Sequence, residues 1–149
     1  MKLNNCKTEN KYENKKIIAK KLGHQESLTL DFKNTWTGDI YDNILITGSN
    51  GSGKSLLLRS IASIWSLLSE WLLKEQKVKA SLAEKKLLLR WDAFYLEILD
   101  LYNEPVVLFF GKEEIYKDLC TNKIVIGEVY SQNGVSKSKL ILPLDNSIQ

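Results

Sequence analysis

Residues 48–55 read Gly-Ser-Asn-Gly-Ser-Gly-Lys-Ser and place three of the chain's eight glycines in one short window, beside a lysine and a serine. Glycine is costly to order and weakens any helix or strand that contains it. The window is therefore a loop whose backbone shape matters more than its stability. Gly51 and Gly53 carry no Cβ, so successive amides can curl into a concave nest for an anion. Gly48 lets the chain leave a preceding strand through a tight turn. Lys54 adds a mobile cation, and Ser55 adds a hydroxyl that a hard divalent cation accepts as ligand. Gripping a polyphosphate tail is the chemistry that uses all of these together.

The window fits the pattern G-x-x-x-x-G-K-[ST], which has meaning between a strand and a helix. Upstream, Asn-Ile-Leu-Ile-Thr at 43–47 is a short apolar run, Ile44 to Ile46, of the type that fills a buried central strand. Downstream, the spacing from Lys54 onward is helical. Leu57, Leu58, Ile61, Ile64, Trp65, Leu68, Trp71 and Leu72 form the stripe, with Ser60, Ser63 and Ser66 off it. Trp65 and Trp71 read as packing residues. The free amides and positive dipole end of this helix would add to the nest. The expected ligand is Mg·ATP, contacted by Gly48, Ser49, Asn50, Gly51, Ser52, Gly53, Lys54, Ser55 and Leu56. Lys54 takes the catalytic role toward the β- and γ-phosphates, and Ser55 is the Mg²⁺ ligand.

The elements around this loop predict an α/β chain. Residues 15–32 form two short strands, the first holding Ile17 and Ile18, the second alternating at Leu28, Leu30 and Phe32. Residues 33–42 are a polar, turn-rich link. The lysine-rich stretch after the helix, 74–86, continues it or loops outward. Ala93–Gly111 reads as strand, turn at Asn103–Pro105, strand; Lys112–Cys120 as a helical turn or two. Lys123–Leu144 reads as a hairpin turning at Asn133-Gly134.

With 149 residues, 44% hydrophobic and 26% charged, the chain suits one globular domain. Residues 1–14 form a polar, basic leader and 15–149 the domain. Seven lysines against Glu9 and Glu13 make residues 1–22 basic, although only Tyr12 interleaves them, so a nucleic-acid partner gains little support. No apolar run approaches the roughly 18 residues a bilayer crossing needs. The first residues lack the apolar core of a signal peptide. Cys6 and Cys120 show neither metal nor disulfide spacing. A reduced, cytoplasmic protein without membrane association is expected. His24, the single histidine, is expected at the surface.

The loop is more particular than the general pattern. Gly-x-Asn-Gly-Ser-Gly-Lys-Ser, followed by Leu-Leu-Leu-Arg and Ile-Ala, resembles the Walker A segment of ABC-type ATPases. The closer likeness is to their soluble branch: chromosome-maintenance and recombination ATPases, overcoming-lysogenization-defect nucleases and ATPases of antiphage defence. Asn50 to Ser55 match position by position, and Lys16–Phe32 resembles the opening antiparallel strands of that family. The resemblance covers roughly residues 15–65. It implies a P-loop NTPase fold, specifically an ABC-type N-terminal lobe with an antiparallel β subdomain. It also implies an ATP-driven homo-oligomer, or a partner protein supplying the remaining ATPase elements.

Those remaining elements are not evident. No Leu-Ser-Gly-Gly-Gln-like signature occurs. Phe94–Asp100 is interrupted by Glu97, and Val106–Phe110 is separated from Glu113 and Glu114 by Gly-Lys, so neither is a clean Walker B strand. Gln132 is a candidate Mg²⁺-sensing glutamine, and Trp36 and Tyr41 are candidate adenine-stacking aromatics. The expectation is a chain that supplies the N-terminal part of an ATPase head and hydrolyses ATP negligibly by itself. A non-catalytic, ATP-organised interaction module is the alternative. A small P-loop kinase would need paired lid arginines, and Arg90 is the only arginine beyond the P-loop helix. A GTPase would need Asn-Lys-x-Asp, which Asn122-Lys123-Ile124-Val125 does not supply.

Overall fold

The fold is described from a computed structural model, which covers residues 13–20, 27–41, 43–49, 51, 53–74, 82–99, 104–131 and 138–143. The leader up to residue 12, His24, Asn50, Ser52, Asp100, Asn103, Gln132 and the expected turn at Asn133-Gly134 lie outside the described residues.

Six strands make one mixed sheet in the order β2-β1-β3-β4-β5-β6. They are β1 (Glu13–Lys20), β2 (Leu28–Asp31), β3 (Ala93–Leu99), β4 (Pro105–Lys112), β5 (Val125–Tyr130) and β6 (Lys139–Ile141). The expected strand pair at 15–32 is present as the antiparallel β1–β2 ladder, Ile17 opposite Leu30. β3 and β4 also pair antiparallel, from Ala93 opposite Gly111 to Leu99 opposite Pro105. β5 and β6 form the third expected antiparallel pair. Only β4 and β5 run parallel, joined by helix α3 (Glu113–Leu119) and a short turn. Gly127 of β5 lies so close to the Phe109 carbonyl of β4 that a Cβ there would overlap it.

Helices cover both faces. The period of two sends Phe94, Leu96 and Ile98 of β3, Leu108 and Phe110 of β4, and Ile126 and Tyr130 of β5 to one face. There they pack against α1 (Lys54–Lys74) and α2 (Ala83–Leu88). The alternate residues Ala93, Tyr95, Val107, Phe109, Val125 and Val129 face the other way, with Cys120 and the α3 residues Ile115, Tyr116 and Leu119. Burial on both faces explains why β3, β4 and β5 are almost continuously apolar.

Two expectations about α1 need correction. Its core face runs through Leu57, Ser60, Ile64, Leu67, Leu68 and Trp71, whereas Leu58 and Leu72 stand about half exposed, 52% and 49%. The stripe is rotated because Ser60 and Ser63 are buried on it. The Ser60 hydroxyl donates to the Leu56 carbonyl at 2.6 Å and accepts from Trp91 Nε1 at 2.9 Å, so its burial leaves no polar atom unpaired. Lys54–Leu73 is also long and apolar enough, at mean hydropathy 1.4, to cross a membrane by length and composition alone. Part of that apolar content serves the sheet contact, through Leu57, Ile64, Leu67, Leu68 and Trp71, while Leu73 stands 79% exposed.

The expected central strand at Ile44–Ile46 does not form. Residues 43–49 make no strand, Leu45 is 87% exposed and Ile44 45%, and only Ile46 packs against the core. Competition for sheet positions is the physical reason. β1 pairs on one side with β2 and on the other with β3, from Glu13 opposite Leu99 to Lys20 opposite Ala93. Every interior strand is thereby flanked. Three apolar residues between Asn43 and Thr47 offer less burial than the seven-residue β3.

Candidate functional site

The glycine-rich loop emerges from this exposed segment and ends in α1. Gly51 and Gly53 have φ of +81° and +89°, in the left-handed region where a Cβ is penalised. Open space surrounds both positions where a Cβ would stand. Gly48 has no positive φ, so the tight turn expected there belongs to the later glycines. Leu57 donates its backbone N–H to the Gly53 carbonyl at 2.9 Å, which makes Gly53 the residue that caps α1. The amides of Gly53, Lys54, Ser55 and Leu56 consequently have no carbonyl one turn back within the helix. A 21-residue helix adds its full terminal dipole to them.

Lys54 folds back over the loop. Its ammonium donates to the carbonyls of Gly48 and Ser49, the second at 2.9 Å. This clasp holds the two ends of the loop together and sets a positive charge above it. Ser55 is exposed at the first turn of the helix. The arrangement can receive a compact anion with several oxygens: amides from below, one cation from the side, and a hydroxyl beside them. Among the described residues no group of three His, Cys, Asp or Glu gathers for a metal. A Mg²⁺ ion at Ser55 would take its other ligands from phosphate oxygens and water, which suits its reluctance to dehydrate.

The acidic residues read from the sequence, Glu97, Glu113 and Glu114, lie on the face of the sheet opposite α1. Glu97 lies on the α3 face of the sheet, accepting from the Tyr95 hydroxyl at 2.8 Å with Lys123 Nζ at 3.9 Å. Lys123 also donates to the Tyr95 oxygen at 2.8 Å. Burial first, and then the Glu97 carboxylate, hold the Tyr95 hydroxyl far above its usual titration range. Val106–Phe110 is the middle of β4, and the run ends in exposed Glu113 and Glu114 of α3, on the face opposite α1. Glu113 pairs with Lys117 at 3.8 Å within that helix. Trp36 is 95% exposed at a turn closed by the Asn34 side chain, and Tyr41 is half exposed.

Sequence reasoning missed a buried polar cluster at the far end of α1. Glu128 of β5 is fully buried and meets Lys85 of α2 at 2.6 Å. Trp71 Nε1 donates to one of its oxygens at 2.9 Å and Ser138 to the other at 3.1 Å. The sequence signal was the even position of Glu128 in an otherwise apolar strand, which fixes it on the α1–α2 face.

No family model matches the chain, and no curated protein or solved structure matches it.

Proposed function

We propose that this chain binds Mg·ATP through residues 48–56, as the nucleotide-gripping part of an ABC-type P-loop ATPase. One observation carries the reading. Two glycines in the left-handed region, Gly51 and Gly53 with one residue between them, lead into the first-turn amides of a long helix, with the Lys54 ammonium clasped over the same loop. Nests, helix N-termini and a neighbouring lysine are the recurring means of holding phosphate oxygens. In this reading the amides of the loop and first turn orient the triphosphate, Lys54 leaves its carbonyl partners for the β- and γ-oxygens, and Ser55 joins the metal. Bound Mg²⁺ neutralises phosphate charge. The chain then works in the cytoplasm, where ATP and Mg²⁺ are abundant.

Turnover needs more than grip, because phosphoryl transfer also requires a residue that positions the attacking water. Glu97 and Glu113 are both engaged away from α1, which favours binding with negligible hydrolysis unless another copy or a partner protein contributes the missing groups. The non-catalytic, ATP-organised module is the second reading that this observation supports.

Titration calorimetry tests both. Wild-type chain should bind Mg·ATP, and Lys54→Ala should lose that binding while keeping its circular-dichroism spectrum. Unchanged ATP affinity in Lys54→Ala would end the proposal. Steady-state phosphate release by the pure chain, absent in Lys54→Ala, would retain the loop but overturn the claim of negligible hydrolysis.

A further inference from the structure

The chain has only two arginines among its 21 basic residues, 31 positions apart in sequence, and both line one cleft. The cleft lies between α1 and α2 and measures about 550 Å³. Arg59 reaches it from α1, Lys86 from α2 and Arg90 from the turn that follows, and all three side chains are exposed. Among the described residues Glu84 is the one carboxylate at its rim, and Ala62 and Leu87 give it an apolar floor. Among the described residues none of the three cations has an ion pair. The wall that α2 provides is fixed, because the neighbouring Lys85 is locked on buried Glu128.

Arginine differs from lysine in its planar fork, which matches a carboxylate with two parallel hydrogen bonds. A chain that uses lysine nearly everywhere else places both of its forks here. We propose that this cleft docks a short acidic segment of a partner protein, in which carboxylates flank one apolar side chain. The carboxylates meet Arg59 and Arg90 with Lys86 between them in charge, and the apolar side chain rests on Ala62 and Leu87. The α2 wall from 83 to 90 extends about 11 Å at helical rise, the reach of three or four extended residues. A nucleic acid fits less well. Among the described residues no aromatic ring lines the cleft for a base to stack on, and Glu84 would face a phosphate.

The test is fluorescence anisotropy at low ionic strength with a labelled peptide, Gly-Asp-Glu-Leu-Asp-Glu-Gly, and its amide counterpart, Gly-Asn-Gln-Leu-Asn-Gln-Gly. The acidic peptide should bind at least about tenfold more tightly, the size of one charge-assisted hydrogen bond. Arg59→Ala and Arg90→Ala should each weaken it about tenfold, and Arg59→Lys should recover only part of the loss. Glu84→Gln should tighten binding. Lys54→Ala should leave it unchanged, which separates this site from the nucleotide loop. Equal binding of the two peptides overturns the proposal, as does wild-type affinity in both alanine variants with native circular dichroism. Tighter binding of a short single-stranded DNA through the same two arginines would assign the cleft to nucleic acid instead, and the proposal fails.

Discussion

Gly53 joins backbone geometry to chemistry at a single position. At φ +89° an alanine would cost about 1–2 kcal/mol of strain. In a domain of this size that lowers Tm by roughly 2–8 °C. Gly38, at φ +76° in the turn near Trp36, carries a similar penalty outside the loop. Gly53→Ala and Gly38→Ala should therefore lower Tm alike, while only Gly53→Ala weakens Mg·ATP binding. Thermal melts and calorimetry on the pair separate strain from grip. Gly51 and Gly53 were legible in the sequence because their spacing beside Lys54 and Ser55 is a local pattern, whereas nothing in the sequence singled out Gly38. Cys120 was not: its thiol is pushed up to about 11 by burial, and burial is decided by which strand and helix happen to cover it.

Elements were legible where pattern and pairing agreed. Alternation at Leu28, Leu30 and Phe32 gave β2, and the apolar runs of β3 and β4 gave a hairpin. The run Ile44–Ile46 looked equally strand-like, yet a central strand also needs an interior place in the sheet, and which strands fill those places is a nonlocal condition. Leu45→Lys should accordingly change stability by less than about 0.5 kcal/mol in urea unfolding, the range of ordinary surface substitutions. A buried central leucine would lose several times more. The rotation of the α1 stripe was hidden for a similar reason, since Ser60 is acceptable in the core only because Trp91 donates to it. The Glu128 cluster gives the sharpest element-scale expectation. Glu128→Ala removes the carboxylate that buried Lys85 meets at 2.6 Å, and should cost about 3–5 kcal/mol. Joint replacement by Lys85→Met and Glu128→Leu should restore most of that stability, as measured by urea midpoints.

At the scale of the whole molecule, the sheet with helices on both faces sets how the chain responds to alkali. Burial raises Cys120 from 9.0 to about 11 and Tyr130 from 10.0 to about 12. The folded chain thus keeps protons that the unfolded chain releases. Their contribution to stability is fully present below about pH 9 and is lost as pH rises through the folded values. Urea midpoints should hold steady from pH 7 to 9 and fall from there to pH 11, less steeply in Cys120→Ala. A flat profile would show that these groups are more solvated than their surroundings imply.

Among the described residues, the sheet ends in a strand of four residues on one side and three on the other, with Thr29 and Asp31 turned outward on the first. Margins this brief offer few unpaired amides for a neighbouring chain to zip onto. The broad apolar strands sit inside, beyond the reach of fibrillar templating, so concentrated samples should resist ordered self-assembly for as long as the outer strands remain in place.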